Sequence, residues 1–318
     1  MNNPYSTKEL LPLLKQGSWP DSVHLFEQQH GYALMAAEAA GRPLLLRGEP
    51  GTGKSQLARA AAVARRRLFL SVVVNAHTEC EDLQWQFDAV ARLGEAQIMA
   101  SVPAGDRLNH LHHSRFLSPG PLWWALNWES AERQFQCCHH SCDAMPERPA
   151  GWQPSHGSVL LIDEIDKADT DLPNGLLETL GNGDFKVPYL GESVRRGACV
   201  PAPLVIITTN EERELPAAFV RRCLVLPLGL PENPDELLAF LVKRGEAHFG
   251  DKCSSEVRHR AAELLLADRA VVEPGQPKPG QAEYLDLLRA ITNMAQVETK
   301  QLELLDTLRQ FVYRKAAT

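Results

Sequence analysis

The chain has 318 residues, a net charge of −7 and 44% hydrophobic residues. This length accommodates one large domain and a smaller one, and the apolar share supports a packed core, which excludes a wholly disordered chain. The acidic balance argues against a protein built around nonspecific binding to phosphate backbones, though it leaves room for a local basic pore.

The opening Met1-Asn2-Asn3-Pro4 lacks the basic-then-apolar pattern of a secretory signal. No stretch approaches the ~18 uninterrupted apolar residues of a membrane span. Seven cysteines without such a signal predict reduced thiols and a cytoplasmic location, with no membrane partner. Residues 1–30, punctuated by Pro4, Pro12 and Pro20, read as an N-terminal arm on the core. An Ala-rich helix over 32–40 is closed by Gly41. Pro43-Leu44-Leu45-Leu46-Arg47 then reads as a short buried parallel strand, and an Ala/Arg/Leu-rich helix is predicted over 56–67.

Between them stands Gly48-Glu49-Pro50-Gly51-Thr52-Gly53-Lys54-Ser55, which satisfies G-x-x-x-x-G-K-[S/T] at every fixed position. Glycines let a backbone wrap a phosphate chain and turn its N–H groups inward. Lys54 has the reach for the β- and γ-phosphates, and the Ser55 hydroxyl can ligate Mg²⁺. A strand, a glycine loop and a helix N-terminus, with Gln56 following, together form an anion site.

A strand follows at 71–75 and a helix at 83–94. Trp123, Trp124 and Trp128 have two readings, an aromatic patch for a partner or packing of the helix after Pro121 onto the sheet. Cys137, Cys138, His139, His140 and Cys142 are all zinc-ligand types. Structural zinc sites use spaced pairs that let a turn wrap the ion, so a thiol-rich mobile loop is the competing reading. Val159-Leu160-Leu161-Ile162 has the aliphatic run of a strand buried on both faces, and Asp163-Glu164 fall at its C-terminal end, where open α/β sheets bind ligands. There Asp163 is placed to support Mg²⁺ and Glu164 to polarise the water that attacks the γ-phosphate. A further β-branched strand, Leu204-Val205-Ile206-Ile207-Thr208-Thr209, ends in Asn210, a side chain able to orient that water. Pro227 to Pro234 marks a boundary, after which helices are predicted near 235–248, 255–268, 281–297 and 299–315.

The order of these motifs resembles an AAA+ ATPase. By that resemblance Lys54 is the Walker A lysine, Asp163 and Glu164 are the Walker B acids, and Asn210 is sensor 1. The arginines after Leu215-Pro216-Ala217-Ala218-Phe219-Val220 match the arginine finger that reaches a neighbouring subunit's nucleotide; Arg222 sits best and Arg221 is the alternative. The implied fold is α/β: a P-loop NTPase core with a parallel sheet between helices, over residues 31–230, followed by a small all-α lid over 231–318. Within AAA+ the chain looks most like the MoxR-type group. Phe116-Leu117-Ser118-Pro119-Gly120-Pro121-Leu122, Asp163-Glu164-Ile165-Asp166-Lys167-Ala168 with Leu176-Leu177-Glu178, and a hairpin over 184–200 carry that likeness, as does a small insertion over 93–113. Two features depart from it. The stretch Lys278-Pro279-Gly280-Gln281-Ala282-Glu283 lacks the sensor 2 arginine, which lysine does not reproduce, and an insertion over 127–157 has no counterpart.

The resemblance implies ATP and Mg²⁺ as cofactors, assembly into a ring, expected to be a hexamer, and chaperone-like remodelling of a protein client. It also implies a partner with a von Willebrand factor A domain, in settings that range from metal-cofactor insertion to bacterial defence. Two other readings stay open. One is a nucleic-acid motor or loader, for which Arg195-Arg196 speaks. The other is a scaffold that assembles on ATP and hardly hydrolyses it.

Overall fold

The computed structural model describes residues 4–5, 10–99, 109–140, 144–273, 276 and 278–313. They fall into two compact units. One is drawn from Met1–Gln28, Arg47–Ala60 and Pro227–Thr318, the other from Gln29–Leu46 and Ala61–Leu226.

In chain order, the strands β1 (Leu11–Leu13) and β2 (Ser22–His24) precede helix α1 (Gln28–Ala40), β3 (Leu44–Arg47) and α2 (Lys54–Ala64). Next come β4 (Leu68–Val73), α3 (Cys80–Gln84), β5 (Trp85–Phe87), α4 (Ala89–Ile98), β6 (Leu117–Pro119), α5 (Pro121–Leu126) and α6 (Trp128–Cys137). They are followed by β7 (Ser158–Asp163), α7 (Asp171–Asn182), the hairpin β8 (Asp184–Val187) and β9 (Glu192–Arg195), β10 (Leu204–Thr209), α8 (Ala217–Val220) and β11 (Leu224–Pro227). The last four helices are α9 (Pro234–Phe249), α10 (Ser255–Val271), α11 (Gln281–Met294) and α12 (Glu298–Val312).

The second unit is built on a parallel five-stranded sheet in the order β11-β3-β10-β7-β4, flanked by helices, the fold of AAA+ P-loop NTPases. Its interior strand β7 pairs with β10 on one side and β4 on the other, Leu204 opposite Val159 and Leu68 opposite Ser158. Val159, Leu160, Leu161 and Ile162 are wholly buried, which is why this strand reads as an unbroken aliphatic run. Trp123, Trp124 and Trp128 are core residues, at most 5% exposed, so the packing reading holds for all three indoles. The Trp123 indole N–H donates to Ser130 Oγ at 2.7 Å.

Two local expectations are corrected. The strand expected at 71–75 begins at Leu68, because Leu68, Phe69 and Leu70 are the residues that bury their side chains against β7. The helix expected over 83–94 is interrupted by β5, which pairs antiparallel with β6 and buries Trp85. Asp88 restarts the helix by accepting the Ala91 N–H at 2.7 Å, a side-chain N-cap. The 127–157 segment is part helix: Asn127 caps α6, and Gln134 Nε2 donates to the carbonyls of Ser114 and Leu117. Residues 100–108 of the expected 93–113 insertion lie outside the described residues.

In the first unit, β1 and β2 form a hairpin, Leu11 opposite His24. Arg59 of α2 is 1% exposed and spends its guanidinium on the carbonyls of Leu13, Leu14 and Pro20, fastening the arm to this helix. Arg244 of α9 binds the Leu25 carbonyl and Glu27 from the other side. The four C-terminal helices share a core that includes Leu241, Val257, Leu265, Tyr284, Leu288 and Leu305. Gly245 permits the close approach of α9 and α11, since a Cβ there would lie 2.6 Å from the Tyr284 hydroxyl.

Candidate nucleotide site

The glycine loop belongs to the first unit. Gly48, Gly51 and Gly53 have φ of +149°, +79° and +90°, a region that residues with side chains rarely adopt. Gly48 is additionally fixed by space: a Cβ there would sit 2.0 Å from the Leu228 carbonyl oxygen. The Lys54 ammonium, 6% exposed, folds back to donate to the carbonyls of Gly48 at 2.8 Å and Glu49 at 2.9 Å. Thr52 Oγ1 also donates to the Glu49 carbonyl. The loop is therefore closed by the cation that a phosphate would attract, at the N-terminus of an eleven-residue helix. Pro50 is exposed, Ser55 is half-buried, and the Gln56 amide donates to Ser22 Oγ at 2.6 Å, so its side chain is engaged by the arm.

Helix α11 sets its first turn beside this loop. A Cβ on Gly51 would meet that of Ala282 at 2.9 Å, and one on Gly53 would lie 3.9 Å from Gln281 Nε2. Ala282, Glu283 and Gln281 are thus the α11 side chains beside the loop glycines, while Lys278 is exposed.

The acidic cluster belongs to the second unit. Asp163 and Glu164 leave the end of β7, and Asn210 leaves the end of the neighbouring β10. Thr208, wholly buried, joins them: its hydroxyl donates to Asp163 Oδ1 at 2.5 Å and accepts the Glu164 N–H at 2.9 Å. Glu164 has φ +61°, a left-handed conformation unusual for a residue with a side chain. Its Oε1 accepts from Asn210 Nδ2 at 3.3 Å and its Oε2 from Lys167 Nζ at 2.6 Å. The hydrogen bond to Glu164, and the charge behind it, raise the Lys167 pKa above the ordinary lysine value. Neither Thr208 nor Lys167 was singled out from the sequence as a site residue; both were visible only as members of flanking motifs.

Arg221 and Arg222 close α8 and are both exposed, anchored by the buried Phe219. Among the described residues neither guanidinium has a hydrogen-bond or ion-pair partner, and neither joins the acidic cluster. In the cysteine–histidine segment, His140 is committed elsewhere: it stacks on Phe116 and pairs with Glu95 at 3.3 Å. Cys137 ends α6, Cys138 follows it, the His139 ring contacts the Cys137 carbonyl, and Cys142 lies outside the described residues. Among the described residues no group of three or more His, Cys, Asp or Glu side chains is arranged to hold a metal ion. The Ser55 hydroxyl in the first unit and the Asp163 carboxylate in the second are each hard oxygen donors of the kind Mg²⁺ takes.

A family model, the AAA domain of the dynein-related subfamily, matches residues 43–223, more than half of the chain. The chain belongs to this family. The AAA match runs from the residue before β3 to Cys223 and so includes the glycine loop, both acids, Asn210 and both arginines. No curated protein matches. Among solved structures, two mutants of RuvB from Thermotoga maritima are similar, each at 15% identity. The first has a TM-score of 0.48 and the alignment covers 89% of this chain and 69% of that one. For the second the TM-score is 0.46 and the coverage 89% and 68%. Among the described residues of this AAA protein, no helix is long and apolar enough to cross a membrane.

Proposed function

We propose that this AAA protein is a Mg²⁺-dependent ATPase that works as a ring and remodels or activates a partner protein. Gly48 to Ser55 bind the phosphates, with Lys54 exchanging its loop carbonyls for phosphate oxygens. Ser55 and Asp163 hold the metal. When bound, Mg²⁺ neutralises phosphate charge and so eases the transfer. Glu164 takes the proton of the attacking water, Asn210 orients that water, and Arg222, with Arg221 as the alternative, stabilises transition-state charge from the next subunit. The observation that carries the reading is the acidic cluster. A carboxylate in a strained left-handed conformation, contacted by the strand-end amide Asn210, stands after a buried strand in a chain that also has a complete phosphate loop. The MoxR-type character, the hexamer and the von Willebrand factor A-domain partner rest on the motif resemblance and on membership of an AAA subfamily.

Glu164→Gln tests the chemistry. It keeps the shape and the Asn210 contact but removes the base, so ATP turnover should fall by at least ~100-fold while a fluorescent ATP analogue still binds. Normal hydrolysis by this variant would remove Glu164 from the role.

One observation favours a second reading. Arg42, Arg67, Arg195 and Arg196 line one cleft of about 570 Å³ in the second unit, together with Glu38 and Asp184, which pair with Arg67 and Arg195, so the cleft keeps an excess of positive charge in a chain that is acidic overall. Such a cleft suits an anionic polymer. If the protein is a nucleic-acid motor, single- or double-stranded DNA should stimulate ATP turnover severalfold, and added salt should abolish the stimulation. Turnover indifferent to DNA would leave the protein-remodelling reading in place.

A further inference from the structure

We infer that Lys167 is a restraint on Glu164, occupying the carboxylate until the ammonium is drawn away, so that removing Lys167 accelerates turnover by the unassisted protein. The inference rests on the reading of Glu164 as the base.

Both carboxylate oxygens of Glu164 are in use. Oε2 takes the Lys167 ammonium at 2.6 Å and Oε1 takes the Asn210 amide at 3.3 Å. The first contact is the shorter and carries full opposite charge. An ammonium this close fills the position beside the oxygen that the attacking water needs. A base in that state is masked.

The surroundings separate a fixed backbone from a movable side chain. Residues Ile165–Lys167 form one 3-10 turn, closed by the Lys167 N–H donating to the Glu164 carbonyl at 3.0 Å. Ile165 is wholly buried and Asp166 is 2% exposed, and Asp166 Oδ2 accepts the Glu212 N–H at 2.9 Å. The turn is thereby held against the loop that follows β10. The side chain of Lys167, in contrast, is 41% exposed. It can swing without disturbing the core, and the Glu212 carboxylate on that same loop already attracts it. An anion brought to this face, or a shift of the loop after Asn210, therefore offers Lys167 another partner and frees Glu164. Lys167 acts through Glu164 and is a positioning residue here.

The competing explanation is an ordinary exposed i,i+3 ion pair whose loss changes nothing. Steady-state ATP turnover of the full chain separates the two, using wild type, Lys167→Met, Lys167→Gln, Lys167→Arg and Glu164→Gln, with affinity for a fluorescent ATP analogue and the melting temperature measured for each. Removing the charge with either Met or Gln should raise kcat roughly two- to fivefold with KM for ATP unchanged, the scale of a partly exposed ion pair. Lys167→Arg, which keeps the charge, should stay close to wild type. Whichever neutral variant melts like wild type decides the matter: kcat equal to or below wild type overturns the restraint. Glu164→Gln guards the underlying reading separately, because normal turnover there would sink the base assignment whatever Lys167 does.

Discussion

The glycine loop and the acidic strand end satisfy their charges in opposite ways. Lys54 is buried and answered by main-chain oxygens of its own loop, those of Gly48 and Glu49. Glu164 is half-exposed and answered by side chains, Asn210 from a neighbouring strand and Lys167 from the next turn. A site held by backbone depends on which residues permit its φ angles; a site held by side chains depends on which partners the sheet delivers. The first should break at a glycine and break completely. The second should fail by degrees, partner by partner.

The harshest test of that contrast is Gly48→Ala. The new methyl group would stand 2.0 Å from the Leu228 carbonyl oxygen, at a φ of +149° that alanine avoids. Strain and overpacking together should cost at least about 3 kcal/mol. The loop must move, so binding of a fluorescent ATP analogue should be lost and the melting temperature should fall. If ATP binds with wild-type affinity, the backbone at Gly48 is not what shapes this site.

The same contrast explains what could be read from the sequence. The phosphate loop was legible residue by residue, because its φ angles demand glycines at fixed spacing and nothing distant is needed to recognise them. Strands β7 and β10 were legible for a related reason: burial on both faces leaves an aliphatic run that no other environment favours. β5 was not. Trp85 to Phe87 pair with Leu117 to Pro119, some thirty positions away, and no local periodicity announces such a partner. At the site itself, Asp163, Glu164 and Asn210 were found from their places at strand ends. Thr208 was hidden inside the strand it belongs to, since a buried threonine in a β-branched run looks like any other strand residue. Only the parallel register, which sets Ile207 opposite Ile162, brings its hydroxyl level with the two acids.

Thr208 therefore gives the gentler and more discriminating test. Thr208→Val keeps the shape and removes one oxygen, leaving Asp163 Oδ1 without this donor and the Glu164 N–H without this acceptor. Losing one buried partner of this kind costs about 1–3 kcal/mol, less than the glycine change. The chain should still fold, with a lower midpoint in urea. The loop is untouched, so ATP affinity at saturating Mg²⁺ should hold. Asp163 loses a donor that orients it, so the Mg²⁺ concentration needed for half-maximal turnover should rise. Glu164 loses the bond that steadies its left-handed backbone, so kcat should fall while KM for ATP changes little. A variant that instead lost ATP affinity at full Mg²⁺, with kcat intact, would contradict the division of labour: phosphate binding would then depend on the strand end, and the two regions would no longer separate into a backbone-built cradle and a side-chain-built catalytic cluster.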